Sequence, residues 1–307
     1  MRKKLIFIFL DGVGLGDDVA TNPLASVRMP ILHQLTGKRL LRNVHVCSNK
    51  VLLKGIDACL NVDGIPQSAT GQTCLFTGYN ASAFLGYHLM AYPTEELVQI
   101  IQKRSIFKYA NSHHISNVFA NSYTDGFFTS DNTSRYSVTT HSVLAAHNRF
   151  NTLDDLIAGN AVHWDITNST LQNMPNNRVP EISPFEAGKN LKNITNTHDL
   201  VVFECFLPDL IGHRKDMSKS VAFFDMFDEF LRGILYNKDD SIHVLMTSDH
   251  GNIEDLSFGG HSKNEVPLLV IGNEAKQFQE VARIDGIFDA IFSKFFNMKP
   301  NLQKEKL

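Results

Sequence analysis

Long, mostly apolar runs are the strongest pattern along this chain of 307 residues. LIFIFL covers residues 5–10, VVFECF lies within residues 200–206, and IHVLMT covers residues 242–247. Apolar runs of this length, without alternation, are typical of strands that are buried on both faces of a parallel sheet. Shorter apolar runs at residues 51–53 and 268–271 predict two further strands.

Between these runs lie segments whose apolar residues recur at helical spacing. The clearest is the Phe-rich segment AFFDMFDEFL, which predicts a packed face on a helix over residues 220–235. Other predicted helices cover residues 30–35, 69–76, 95–102, 185–193 and 285–296. Because strands alternate with helices at both ends of the chain, we predict an α/β fold with a mostly parallel sheet covered by helices on both faces.

The middle third of the chain has a different character. From about Ala91, polar Asn, Ser, Thr and His residues dominate as far as the linker NNRVPEIS. Strands in SNVFANSY and AVHWDIT and a short helix in TLDDLIAG are predicted within it. We therefore expect a core made of residues 1–90 and 184–307, with a smaller α+β cap domain inserted at 91–183. Residues 301–307 are predicted to form a frayed polar tail.

Composition narrows the class of protein. The net charge of -3 gives no sign of a surface for nucleic acid or membrane. The apolar run after MRKK has only six residues, whereas a secretory signal core needs about 7–15. No segment reaches the ~18 uninterrupted apolar residues of a membrane span. We expect a cytoplasmic protein with reduced thiols, because no metal-binding or CxxC spacing relates its four cysteines, Cys47, Cys59, Cys74 and Cys205.

Acidic and imidazole side chains follow the predicted strands, far apart in sequence. They are Asp11 in LIFIFLDG, Asp209 and His213 in PDLIGHRKD, Asp249 and His250 in SDHGN, and His261 in GGHSKNEVP. Open α/β sheets build their sites at the carboxyl ends of their strands. Three carboxylates and three imidazoles are enough for two divalent cations, and these ligands suit Mn or Zn. The sequence therefore predicts a metalloenzyme that acts on a small substrate.

A hydroxyl group stands before one of the predicted helices. Ser68 precedes the helical segment ATGQTCLF in DGIPQSATGQTCLFTG. A hydroxyl bound to a metal becomes a nucleophile at neutral pH, and a helix N-terminus favours an incoming phosphate. The alternative is that Ser68 is only the N-cap of this helix. Thr70 and Thr73 are rival hydroxyls in the same segment.

These motifs, taken in order, resemble the alkaline phosphatase superfamily, and within it the branch of cofactor-independent phosphoglycerate mutase and phosphopentomutase. DGVGLG is similar to the first metal-binding turn of that branch, and SATGQTCLFTG is similar to its nucleophile segment. PDLIGHRKD, SDHGN and HSKNEVP resemble its later motifs. The resemblance selects Ser68, with Gly71 and Gly78 as the matching glycines. It covers roughly residues 1–85 and 195–275 and does not reach the middle third.

The resemblance implies a division of the ligands between two cations. Asp209, His213 and His261 would hold one cation, whereas Asp11, Asp249 and His250 would hold the other, with Ser68 as a ligand near both. It also implies that Ser68 attacks a phosphate ester and forms a phosphoserine. Sulfatases of the superfamily carry C/S-x-P-x-R, and because SATG lacks the Pro and the Arg, sulfate esters are not expected.

The same resemblance leaves two reactions open. A hydrolase passes the phosphoryl group to water, whereas a mutase returns it to the substrate. Gln72 stands where the mutases commonly carry His, and the segment 91–183 matches neither mutase's insert, so we favour a phosphatase or phosphodiesterase. A phosphomutase is the alternative, and a relative that binds metal without catalysis is the second alternative.

Several other residues are weaker candidates for substrate binding. Asn80, Arg214 and Lys263 lie beside the motifs. Arg135, Arg149 and Arg178 lie in the expected cap, where a guanidinium could clamp a phosphate or a carboxylate. A solvated surface charge is the simpler interpretation of each cap arginine. Trp164 is interpreted as part of the cap's core rather than as a surface on which a substrate stacks. The sequence does not indicate an oligomeric state.

Overall fold

The computed structural model describes residues 2–124, 126–129 and 135–298. Its centre is one sheet of seven strands: β1 (Lys4–Leu10), β2 (His45–Cys47), β3 (Val51–Ile56), β4 (Asn117–Phe119), β5 (Leu200–Cys205), β6 (Ile242–Thr247) and β7 (Val266–Ile271). The order across the sheet is β2-β3-β7-β6-β1-β5-β4. The strands predicted from the three longest apolar runs are therefore neighbours at its centre.

Helices surround this sheet. They are α1 (Pro23–Ser26), α2 (Pro30–Thr36), α3 (Ser68–Thr77), α4 (Ala81–Leu85), α5 (Glu95–Arg104), α6 (Ile106–Ser112), α7 (Val138–Ala145), α8 (Leu153–Ile157), α9 (Pro184–Ile194), α10 (Leu207–His213), α11 (Met217–Leu235) and α12 (Gly286–Asp289). A π-helical segment, Ala290–Phe295, continues α12, where the sequence predicts one helix over 285–296. The Phe-rich face of α11 is buried, as its spacing predicts.

The central strand β1 shows how the layers are built. Successive side chains of a strand point to opposite faces of the sheet. Phe7 and Phe9 belong to a hydrophobic cluster with α3, α5, α6, α7 and α12. Ile6 and Ile8 belong to a second cluster with α2, α9 and α11. Both faces of the sheet are therefore covered, and the chain has the predicted α/β fold.

The direction of the strands decides where a site can form. β1 is parallel to both of its neighbours, β5 and β6, and β4 is parallel to β5. On the other side, β7 is antiparallel to β6 and to β3, and β2 is antiparallel to β3. The carboxyl ends of β6, β1 and β5 thus lie side by side, and the segments that follow them meet at one edge of the sheet.

One predicted strand of the middle third is wrong. In AVHWDIT, Val162 makes only an isolated bridge to Asn121. The chain then turns, because the buried Asp165 carboxylate accepts the N–H groups of Asn168 at 2.9 Å and Thr170 at 2.7 Å. An acidic side chain that bonds its own following backbone favours a turn over a strand.

The proposed division into core and cap stays a prediction. The edge strand β4 belongs to the segment 91–183, yet it pairs with β5 in the main sheet. Leu97, Ile101 and Phe107 of the same segment lie in the cluster that contains Phe7. A smaller cluster around Leu156 stands apart from the two main clusters.

Two further sequence expectations concern the thiols and membranes. The four cysteines are free, with Cys74 and Cys205 buried and Cys47 exposed. Among the described residues, no helix has both the length and the apolar content that crossing a bilayer needs. The predicted tail at 301–307 lies outside the described residues.

Candidate metal centre

Three of the predicted ligands form a buried cluster, here called the inner ligand group: Asp11, Asp249 and His250. Asp11 follows β1, and the other two follow β6. His250 Nε2 lies 3.3 Å from Asp11 Oδ1 and 3.5 Å from Asp249 Oδ2. One ligand atom from each residue lies within 4.8 Å of the others, which is close enough for a single cation to contact all three.

The other three predicted ligands form the outer ligand group: Asp209, His213 and His261. Asp209 and His213 lie on α10, one turn apart, and His261 precedes β7. His213 Nε2 is 3.3 Å from Asp209 Oδ2, and His261 Nε2 is 3.4 Å from Asp209 Oδ1. The two groups touch, because the imidazole rings of His250 and His261 stack with their centroids 3.8 Å apart.

Hydrogen bonds fix which nitrogen of the outer histidines faces Asp209. His213 Nδ1 donates to the Gly259 carbonyl at 3.1 Å, and His261 Nδ1 donates to the Pro66 carbonyl at 3.1 Å. In a neutral imidazole the other nitrogen, Nε2, is then an acceptor. These two acceptor nitrogens are 3.2 Å apart and both face the Asp209 carboxylate. A divalent cation held by these three side chains would replace the contact between acceptors with coordination, and a carbonyl-anchored ring is typical of histidines that bind metal.

The inner ligand group also fits a cation. Both carboxylate oxygens of Asp249 and Oδ1 of Asp11 are buried and have no hydrogen-bond partner among the described residues. Burial raises the pKa of the Asp11 carboxyl, and it raises the pKa of the Asp249 carboxyl well above its ordinary value, with a further contribution from the neighbouring Asp11 charge. Buried carboxylates without donors are costly unless they are paired or coordinate a metal.

The remaining charges of the site respond to one another. Burial by itself would lower the pKa of His250, but the carboxylates of Asp249 and Asp11 raise it to about 10. Burial by itself would raise the pKa of Asp209, but its contact with His261 and the charge of His250 lower it to about 2. The cluster therefore stabilises positive charge in its centre, whether that charge is a proton or a cation.

Ser68 lies at the junction of the two groups. It is the first residue of α3, and Gln67 occupies the N-cap position. The Ser68 hydroxyl oxygen lies 3.0 Å from His250 Nε2. The interpretation of Ser68 as only an N-cap is therefore wrong, because its hydroxyl is directed at a ligand of the inner group rather than at a free N–H of the first turn.

The rival hydroxyls are engaged elsewhere. Thr70 Oγ1 donates to the Gln67 carbonyl at 3.2 Å and accepts the N–H of Leu89 at 3.3 Å. Thr73 Oγ1 donates to the Ala69 carbonyl at 2.6 Å, within the helix. Ser68 is thus the hydroxyl of this segment that faces the ligands.

Two glycines allow the ligand segments to approach closely. A Cβ atom on Gly12, whose φ is +74°, would lie 2.8 Å from Asp209 Cβ. A Cβ atom on Gly71 would lie 2.9 Å from both Cβ and the carbonyl oxygen of Asp249. Glycine is required at both places because another side chain would separate the strand ends or push α3 away.

A buried carboxylate that the sequence reasoning missed connects three of the motifs. Glu254 accepts the N–H of Gly14 at 2.9 Å, the N–H of Asn252 at 2.7 Å and a hydrogen bond from the Ser262 hydroxyl. Asn252 in turn donates to Asp209 Oδ1 at 2.7 Å. Glu254 therefore links three segments of the site: those that follow β1 and β6 and the one that precedes β7. The signal in the sequence is the acidic pair Glu254 and Asp255, which follows the SDHGN motif after one intervening residue.

Two more polar side chains at the site were missed or left without a role. Glu204 lies in β5, and burial raises the pKa of its carboxyl well above the ordinary value. The signal is a Glu inside the apolar run VVFECF. Gln72 is buried on α3, one turn after Ser68, and makes no hydrogen bond to a described residue. Both side chains line the same cavity as Ser68.

That cavity has a volume of about 560 Å³ and contains Asp11, Ser68 and Asp209 in its wall. The three weaker substrate candidates are not part of its described wall. Asn80 accepts the Ala83 N–H at 2.9 Å and so caps α4. Arg214 and Lys263 are exposed. Their assignment to the substrate stays a prediction that the geometry does not favour.

The three arginines of the expected cap also differ in whether they line the cavity. Arg149 pairs with Asp155 at 2.6 Å, and Arg178 pairs with Asp154. Arg135 lines the cavity. Trp164 lines it too and is only partly buried, so the interpretation of Trp164 as core is wrong.

Comparison with known proteins identifies relatives of the whole fold. The family model of the metalloenzyme superfamily matches residues 3–299. The 2,3-bisphosphoglycerate-independent phosphoglycerate mutase of Antithamnion sp. is 29% identical over 107 residues, which are 32% of this chain and 21% of the mutase. The match thus spans about a fifth of the length of this curated relative.

Solved structures agree with this fold. The alkaline phosphatase from the Antarctic bacterium TAB5 has a TM-score of 0.54 and 14% identity, with 95% of this chain and 98% of that chain covered. The phosphoglycerate mutase of Leishmania mexicana also has a TM-score of 0.54, with 9% identity and coverages of 97% and 95%. The predicted alkaline-phosphatase-like α/β fold is confirmed.

Proposed function

The chain belongs to the metalloenzyme superfamily, and we propose that it transfers a phosphoryl group from a small phosphate ester to Ser68 and then to water. In this proposal the inner and outer ligand groups each hold one divalent cation, Mn or Zn. When bound, two cations neutralise charge on the phosphoryl oxygens and lower the pKa of a coordinated hydroxyl. The protein is proposed to act in the cytoplasm, without a nucleic-acid or membrane partner.

The observation that carries the proposal is the position of the Ser68 hydroxyl. It lies 3.0 Å from His250 Nε2, beside the three acidic ligands, at the first turn of a helix of ten residues. The N-terminus of such a helix presents backbone N–H groups to an anion. A nucleophile, a site for cations and donors for an anion therefore meet at one end of the cavity.

The chain's residues divide the reaction between them. Ser68 Oγ forms a bond to phosphorus, the bond from phosphorus to the ester oxygen breaks, and the hydroxyl proton of Ser68 ends on the departing alcohol. Water then attacks the phosphoserine, which restores the Ser68 hydroxyl and releases inorganic phosphate. Gln72 is placed one turn from Ser68 to donate an amide N–H to a phosphoryl oxygen.

Two features support water as the acceptor. The amide of Gln72 can donate a hydrogen bond but cannot deliver and recover a proton as an imidazole does, and a mutase must do both for its substrate. Tyr92, Phe127 and Leu210 line the cavity and are exposed, so this part of its described rim is open to solvent. A mutase has to exclude water from its phosphoserine, which an open rim does not favour.

A phosphomutase is the second candidate, and the curated relative favours it. The mutase of Antithamnion sp. aligns with about a third of this chain. Under this alternative Ser68 has the same role, but the phosphoryl group returns to a second hydroxyl of the substrate.

The test is turnover of phosphate esters by the protein loaded with Mn²⁺ or Zn²⁺, using Ser68→Ala and Thr70→Ala as a matched pair. We expect free phosphate from the wild type, a loss of about 1,000-fold or more in Ser68→Ala, and retained activity in Thr70→Ala. Isomerised sugar phosphate without free phosphate would establish the mutase. Equal inactivity of the wild type and Ser68→Ala would indicate the non-catalytic relative. Elemental analysis should find two cations per chain.

A further inference from the structure

Aromatic rings form a substantial part of the wall of the cavity that contains Ser68. Six of the described lining residues are aromatic: Tyr92, Phe119, Tyr123, Phe127, Trp164 and Phe206. Trp164 and Phe206 stand together, with ring centroids 6.0 Å apart, and neither is fully buried. Phe206 directly follows β5 and precedes the helix that carries Asp209, so this pair adjoins the outer ligand group.

Charged groups are scarce along this wall. Among the described residues that line the cavity, Arg135 carries the one guanidinium, no lysine takes part, and the acidic residues are Asp11, Asp209 and Glu204. His163 pairs with the Ser122 hydroxyl at 3.2 Å, and burial lowers the pKa of His163, which favours its neutral form. A second anionic group on the substrate would lose water contacts on entering the cavity, and among the described lining residues only the exposed guanidinium of Arg135 could compensate for that loss.

Several neutral polar residues of the wall are already paired within the protein. Asn121 donates to the Glu204 carbonyl at 2.7 Å and accepts its N–H at 3.0 Å. Thr140 lies within hydrogen-bond distance, 3.0 Å, of both the Tyr123 hydroxyl and the Ser137 hydroxyl. Apart from Ser68 and Gln72, which face the phosphate in the proposed reaction, much of the wall that can contact a substrate is the surface of aromatic rings. Such surfaces favour flat, uncharged groups, which they contact through stacking and edge-to-face packing.

We infer that the cavity takes a phosphate ester whose organic part contains a flat, uncharged ring, as in a nucleoside or an arylalkyl alcohol, with Trp164 and Phe206 as its contact surface. The inference depends on the proposed function, because the phosphate must sit at Ser68 for the ring to reach this pair. It does not favour esters with a second anionic group, such as phosphoglycerate.

The first test compares esters of primary alcohols that differ in the ring. The pairs are adenosine 5′-monophosphate with ribose 5-phosphate and benzyl phosphate with ethyl phosphate, and 3-phosphoglycerate represents the charged substrates. With Mn²⁺-loaded protein we expect kcat/KM to be about 10-fold to 100-fold higher for the member with the ring, since stacking on an aromatic side chain has this order of effect. Equal rates within each pair, or phosphoglycerate as the preferred ester, would overturn the inference.

A binding measurement separates failure of the inference from failure of the proposed function. Benzylphosphonate and ethylphosphonate cannot transfer their phosphorus group, so their affinities are independent of turnover. Tighter binding of benzylphosphonate without cleavage of any ester would refute the proposed reaction and leave the ring site standing. Equal affinity of the two phosphonates would overturn the ring site even if esters are cleaved.

Variants of Trp164 locate the effect. Trp164→Ala is expected to bring the kcat/KM ratio of adenosine 5′-monophosphate to ribose 5-phosphate close to one, whereas Trp164→Phe keeps most of the preference. Tyr236→Ala, which changes an exposed aromatic residue outside the cavity wall, should leave the ratio unchanged. A melting measurement on each variant shows whether it is folded. An unchanged ratio in folded Trp164→Ala would contradict Trp164 as the contact surface.

Discussion

The inner and outer ligand groups have similar donors but different access to water. The Asp249 and His250 side chains are 0% exposed, whereas 45% of the His213 side chain and 16% of the Asp209 side chain are exposed. In the inner group, burial raises the pKa of two carboxyls, and three of their four oxygens have no hydrogen-bond partner among the described residues. In the outer group, Asp209 has Asn252 and two histidines around it. If each group holds a cation, as proposed, the inner group should depend more strongly on it for stability, and the outer group should lose its cation more readily.

Replacing an inner carboxylate gives the largest expected effect, with opposite signs for activity and stability. Asp249→Asn should lower kcat/KM by about 1,000-fold or more, because the cation and its charge stabilisation are lost. The same change should raise the melting temperature of the metal-free protein by about 2–6 °C, because it removes a buried carboxyl that has no donor. Calorimetric melting with a chelator and steady-state kinetics with excess Mn²⁺ measure the two effects.

The matched control for this variant is Asp165→Asn. Asp165 is as deeply buried, but it accepts two backbone N–H groups and two hydroxyls. Its replacement should lower the melting temperature in the presence and absence of cations alike. If Asp249→Asn also destabilised the metal-free protein, the claim that the inner carboxylates need a cation would be refuted.

Removal of cations should occur in two stages. Dialysis against increasing chelator is expected to leave an intermediate with one cation per chain, since the outer group is open to solvent. Each bound cation stabilises the fold by about 4 kcal/mol at a free concentration 1,000 times its Kd. Metal content and melting temperature, followed through the same dialysis, check the order. Loss of both cations in a single step would contradict a difference between the two groups.

Removal of an outer ligand should have a smaller effect that cations reverse. His213→Ala is expected to weaken binding of one cation by about 100-fold and to lower activity at limiting Mn²⁺, with recovery at high Mn²⁺. The exposed position of His213 leaves room for water to replace the imidazole. His198→Ala, a change outside both groups, is the control. If activity stayed lost at saturating Mn²⁺, His213 would have a direct role in the reaction and not only a role in binding the outer cation.

The smallest expected effect is on the pH dependence of the metal-free protein. The carboxyls of Asp11 and Asp249 have raised pKa values in the folded chain, and the pKa of His250 is raised to about 10. The folded state therefore binds more protons than the unfolded state, and stability falls as pH rises from about 4 towards 10. We expect the metal-free protein to melt about 2–6 °C lower at pH 8 than at pH 5. Asp249→Asn should show a flatter dependence, and an unchanged slope would argue against the inner carboxyls as its source.

The parts of the fold that follow from local pattern could be predicted. Mostly apolar runs at residues 5–10, 200–206 and 242–247 predict buried strands, and β1, β5 and β6 lie there. The turn at Asp165 could not be predicted from the apolar alternation of AVHWDIT, because that pattern does not show whether the Asp165 carboxylate accepts the N–H groups that follow it or faces solvent. The short strand β2 and the antiparallel edge also lacked a clear local signal.

The candidate site also contains residues that could be predicted from local motifs and residues that could not. Its six Asp and His residues stand in recognisable motifs, and the structure brings them together. Glu204 and Glu254 could not be assigned in advance, because a lone acid in an apolar strand or beside a motif becomes informative only when its neighbours are known. Trp164 was assigned to the core because sequence spacing does not say which side of a partly buried ring faces a cavity.

The sequence alone determined the α/β class, the strand ends that carry the ligand-type residues, and the segment that holds Ser68, since these depend on residue type and short-range periodicity. Only the tertiary structure decided that β6, β1 and β5 are neighbours, that one ligand group is buried while the other is partly exposed to water, and that aromatic rings line the cavity that contains Ser68. Those features depend on which distant segments pack together, and packing sets both the access of water and the electrostatic environment of each side chain.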